Sequence, residues 1–67
     1  MYSESLKTKT EAIEIAQKFS KDEGNGYYAA IVWHSKTNEY YVRWNDPEPL
    51  RQYEVIIGSY MNGKYIK

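Results

Sequence analysis

The 67-residue chain contains no cysteine. That excludes a disulfide framework and a thiolate metal site, and it makes a reducing cytoplasm the expected location. Net charge is also missing: nine basic residues balance nine acidic ones. Broad electrostatic attraction to nucleic acid or an anionic membrane surface is therefore not indicated. No apolar run is long enough to cross a bilayer, and the opening MYSESLKTKTE holds no signal-peptide core. The expectation is a soluble, unexported protein with no membrane partner. Histidine occurs once, at His34, so a histidine pair or triad is ruled out within one chain. A metal site built from His34 with Glu39 or Asp46 has no spacing to recommend it. Proline occurs only at Pro47 and Pro49, in the stretch Asn45-Asp46-Pro47-Glu48-Pro49, which must be a loop.

What the chain does hold is aromatic residues and β-branched runs. Tyr27 to His34 and Tyr40 to Trp44 both suit a pleated, half-buried surface, and Ser35-Lys36-Thr37-Asn38-Glu39 lies between them. Asn38 tolerates a left-handed backbone and can close a type I turn with a bulge, so the two runs pair antiparallel. With Ser35 opposite Glu39, the pairs are His34 with Tyr40, Trp33 with Tyr41, Val32 with Val42, Ile31 with Arg43 and Ala30 with Trp44. Side chains alternate between faces along a strand. One face then carries Tyr28, Ala30, Val32, His34, Tyr40, Val42 and Trp44; the other carries Tyr27, Ala29, Ile31, Trp33, Tyr41 and Arg43. The mid-strand charge of Arg43 places the second face outside. A one-residue slip in the turn would exchange these roles.

Thr8-Lys9-Thr10-Glu11 fits a capping box and opens a helix from about Thr10 to Glu23. Ala12, Ile15, Ala16 and Phe19 form its apolar stripe, and Gly24-Asn25-Gly26 supplies backbone freedom for its end. Met1 to Lys7 has no period and reads as a loose lead or a short edge strand. Leu50 to Met61 has some helical spacing, but Tyr53-Glu54-Val55-Ile56-Ile57 and the following Gly58 favour a strand. Asn62-Gly63 is a two-residue hairpin signal, so a last short strand follows. The fold class is α+β: one domain over residues 1–67, with an N-terminal helix packed on a three- to four-stranded antiparallel sheet, in the order α-β-β-β-β.

No catalytic constellation emerges. Ser35 follows His34 on a strand and points to the opposite face, which breaks a Ser-His pair in the simplest arrangement. Asp46 with Glu48, or Glu11 with Glu14, would need an apolar pocket to raise one carboxyl, and a chain this small cannot easily enclose a cleft beside its own core. Gly24-Asn25-Gly26 ends a helix and lacks the Lys-Ser/Thr of a phosphate loop, so no cofactor is implied.

Aromatic residues make up 16% of the chain, more than one thin core can hide. Tyr27, Trp33, Tyr41, Arg43 and Tyr53 are the candidate partner-binding residues, because Tyr, Trp and Arg dominate binding hot spots. The expected function is a non-enzymatic protein-interaction module, such as an inhibitor or adaptor from a phage or mobile element that covers a host protein's surface. The alternative is single-stranded nucleic-acid binding, with bases on Tyr27, Trp33 and Tyr41 and phosphates on Lys36, Arg43 and Arg51. A homodimer formed through an unpaired strand edge is a third reading.

Overall fold

The structure, a computed structural model, describes residues 2–22, 28–44 and 49–67. The Gly24-Asn25-Gly26 helix stop and positions 45–48 of the proline loop lie outside the described residues. Helix α1 spans Lys9–Asp22, one residue earlier at each end than the stripe suggests. Thr8 caps it: its hydroxyl accepts the Glu11 backbone N–H at 3.2 Å and donates to the Glu11 carboxylate at 3.0 Å. The capping glutamate thus closes on the threonine hydroxyl. Ala12 and Ala16 are fully buried, while Ile13, Ile15 and Phe19 pack around them half-buried. Small side chains on that stripe let the helix axis come close to the sheet.

Four antiparallel strands follow: β1 (Tyr28–His34), β2 (Glu39–Trp44), β3 (Glu54–Met61) and β4 (Lys64–Tyr65), in the spatial order β2-β1-β3-β4. The layout is the expected α-β-β-β-β, and the ambiguous stretch Leu50 to Met61 is strand from Glu54 onward. Asn62 and Gly63 take φ values of 53° and 79°, the paired left-handed geometry of a type I′ turn. The Gly63 N–H donates to the buried Ser20 hydroxyl at 3.0 Å, which seats this hairpin tip on the C-terminal half of α1. The lead is an edge element: Tyr2 bridges Arg43, and Leu6 exchanges backbone bonds with Tyr40 at 2.8 and 2.9 Å.

The register of the first hairpin differs from the sequence expectation by one residue. His34 pairs with Glu39, Trp33 with Tyr40, Ile31 with Val42 and Ala29 with Trp44. Asn38 does adopt the left-handed conformation, at φ 58°, and its N–H closes on the His34 carbonyl at 2.8 Å. The turn is therefore Ser35–Asn38, and Glu39 is the first strand residue, its carboxylate held by Ser5 rather than lost to a loop. The slip exchanges the faces of β1. Ala29 and Ile31, with Val42 and Tyr60, meet Ala12 and Ala16 of the helix, and Trp33 shares that side of the strand. Ala30 and Val32 point away from it.

Ala30 and Val32 are nonetheless as buried as Ile31. A sheet covered on both sides shows a continuous apolar run instead of alternation, which is what Ala29 to Val32 is. Because β2 and β3 both run antiparallel to β1 on its two flanks, they are parallel to each other. On the face away from the helix the Tyr2 ring lies edge-on to Tyr41, and Arg51 lies over that ring. A bulge in β3 opposite Ile31 and Val32 sits in the same strand.

Candidate functional site

The face away from the helix carries Tyr28, Ala30, Val32 and His34 from β1, Tyr41 and Arg43 from β2, and Glu54, Ile56 and Ser59 from β3. Tyr2 is its organising side chain. The Tyr2 ring meets Tyr41 edge-on at 6.2 Å, and the guanidinium groups of Arg43 and Arg51 lie 5.6 and 5.2 Å from its centre. Its hydroxyl accepts from Arg43 Nη1 at 3.3 Å and donates to Glu54 Oε1 at 3.2 Å. Burial pushes the Tyr2 phenol up from its ordinary pKa, opposed by the charge of Arg43 and reinforced by Glu54. Glu54 Oε1 also accepts the Arg51 backbone N–H at 2.7 Å, which fixes the end of the connection against the start of β3.

Beside this cluster, His34 Nδ1 accepts the Thr37 N–H at 3.3 Å, with the Thr37 hydroxyl at 3.1 Å. The His34 ring packs at 5.8 Å from Tyr53, over which the Lys36 ammonium lies at 5.4 Å. Tyr53 holds φ at 70°, costly for a bulky side chain by about 1 kcal/mol or more, and its carbonyl takes the Ser35 N–H at 2.8 Å. Tyr2, His34, Tyr41, Arg51 and Glu54 enclose a concavity of about 270 Å³.

The candidate residues are thus divided. Tyr41 and Arg43 share the outer face, and Tyr53 joins it beside His34. Trp33 does not: the register shift turns it to the helix side, where its Nε1 donates to Asn38 Oδ1 at 2.9 Å and braces the turn. Tyr27 lies outside the described residues. No motif marks Tyr2, Glu54 or His34 as binding residues, and the only sequence signal for Tyr2 is an aromatic in a lead without a period.

A second feature lies at the opposite margin from Tyr2. β4 flanks β3 only at Tyr60 and Met61, and the C-terminal residues flank it at Ser59. Among the described residues no strand pairs with the outer margin of β3 from Glu54 to Ile57. Val55 and Ile56 there are 47% and 40% exposed, and Tyr53, Tyr65 and Ile66 are exposed around them. On the helix side a more apolar groove of about 330 Å³ runs between α1 and the lead, lined by Leu6, Ile15, Phe19 and Trp44 among others.

Among the described residues no cluster of three or more His, Cys, Asp or Glu could hold a metal ion, and no helix is long and apolar enough to span a membrane. Compared with known families, curated proteins and solved structures, the chain matches none.

Proposed function

We propose that this chain is a non-enzymatic protein-interaction module that takes an extended segment of its partner along the open margin of β3. The observation that carries this reading is the unpaired stretch Glu54–Ile57 with Val55 and Ile56 exposed on it. An exposed edge presents a row of backbone donors and acceptors, and proteins ordinarily blunt such edges with lysine, proline or a covering element. The opposite edge, β2, is covered by the lead through Tyr2, Ser3 and Leu6. The β3 edge is left apolar: Val55-Ile56-Ile57 contains neither charge nor proline. Strand addition supplies backbone hydrogen bonds along such an edge, and exposed side chains next to it select the partner. Tyr53 and Ile56 on one side and Val55 and Tyr65 on the other are placed for that selection.

The single-strand nucleic-acid reading needs aromatic stacking along one face, and with Trp33 on the helix side that series is broken.

Selection from a random-peptide display library tests the proposal. Peptides rich in β-branched and aromatic residues should be enriched. Val55→Lys and Ile56→Lys, each keeping a native circular dichroism spectrum, should weaken their binding at least about tenfold, since each puts a charge into the docked strand. Enriched peptides indifferent to both substitutions, or no enrichment at all, would remove the reading.

A further inference from the structure

We infer that the concavity between Tyr2, His34, Tyr41, Arg51 and Glu54 is a binding site for a small phosphate monoester, with the phosphate held by Arg51, His34 and Tyr41. This does not rest on the strand-addition reading. The argument begins with Arg51. Its guanidinium is positioned by the Tyr2 ring at 5.2 Å and by the backbone bond to Glu54, yet no carboxylate among the described residues pairs with it. A guanidinium has five N–H donors in a rigid fork shaped for carboxylate or phosphate oxygens. Stacking on a tyrosine holds that fork in place and uses none of its donors.

His34 adds a second donor. Because Nδ1 accepts the Thr37 N–H, the proton of the neutral imidazole sits on Nε2, and His34 lines the concavity. Tyr41 also lines the concavity and brings a third polar group, a hydroxyl without a partner among the described residues. These groups come from three separate elements: the β2–β3 connection, the end of β1 and the middle of β2. A carboxylate is planar and is satisfied by one guanidinium fork. A tetrahedral phosphate has three free oxygens and can engage all three groups.

Charge agrees. Around the concavity stand Arg43, Arg51 and Lys36, against Glu54 and, across from His34, Glu39. Glu54 Oε1 is occupied by the Tyr2 hydroxyl and the Arg51 N–H, and Glu39 is engaged by Ser5. Among the described residues, three cationic side chains thus stand around the concavity against two carboxylates, in a chain of zero net charge. The volume of about 270 Å³ exceeds what a bare phosphate fills, and the remaining wall is the pair of rings Tyr2 and Tyr41. A flat ring carried by the ester, such as a nucleobase, has an aromatic surface to lie against.

The test is a nuclear magnetic resonance titration of the intact chain with inorganic phosphate, adenosine monophosphate and acetate. Expected are saturable shifts of the His34 and Tyr41 ring protons with both phosphates, adenosine monophosphate binding at least about fivefold tighter, acetate much weaker, and all of it weakening as sodium chloride rises. Arg51→Gln should cost at least about tenfold in affinity. Tyr41→Phe, which deletes one hydroxyl and leaves the ring packing intact, should cost about threefold or more. Val55→Lys should leave the titration unchanged, so loss of strand addition and loss of this site are separable. Absence of saturable shifts, equal response to acetate, or full binding by both Arg51→Gln and Tyr41→Phe would overturn the assignment.

Discussion

Glu39 illustrates how much one side chain does at the residue scale. The Ser5 hydroxyl donates to its carboxylate at 2.5 Å, and this bond, followed by one from Thr37, holds its pKa below the ordinary glutamate range. A carboxyl with a depressed folded-state pKa contributes stability that is present above the unfolded value and lost as pH falls through the folded one. Glu39→Gln should therefore flatten the acid limb of a stability curve measured by urea unfolding between about pH 3 and pH 6. Parallel curves for the two proteins would show that the Ser5 contact contributes nothing. The same residue explains why the hairpin register was not legible: a glutamate after Asn38 reads as loop when its partner, Ser5, lies in a segment with no pattern of its own. The left-handed Asn38 and the Asn62-Gly63 turn were legible, because both follow from backbone preferences that act locally.

At the scale of elements, the helix was the most readable part, since its stripe and cap are local to the sequence. Thr8 carries the cap through both of its bonds to Glu11. Thr8→Ala should cost about 1 kcal/mol and lower the midpoint of thermal unfolding, followed by circular dichroism, by about 4–8 °C. An unchanged midpoint would mean that α1 is held by packing alone. β1 was read correctly as a strand but assigned to the wrong side, and the reason is physical. Alternation identifies a face only when one face is wet. Here the helix covers Ala29 and Ile31 while Ala30 and Val32 are buried beneath the outer layer, so the run carries no directional information. Trp33 left the expected binding face with that error, which is why Trp33 and Tyr41 lie on opposite sides.

The whole molecule is layered: helix, sheet, and an outer covering that includes Tyr2 and Arg51, with β1 in the middle of everything. Marginal stability of about 3–10 kcal/mol is the general expectation for a chain of 67 residues. Opening is not uniform in such a protein, and the element buried on both faces and paired on both edges opens last. Amides of Ala29 to Val32 should therefore exchange with deuterium most slowly, and those of the two-residue β4 among the fastest. Helix amides outlasting β1 would contradict that order. The arrangement of the two ends has its own practical bearing. Residues 2–6 run along β2, whereas Ile66 and Lys67 run beside Ser59, where the open stretch of β3 begins. A tag or fused domain joined after Lys67 would crowd the margin offered to a partner. One joined ahead of Tyr2 leaves from the far rim of the sheet, so tethering by that end keeps Val55 and Ile56 in reach.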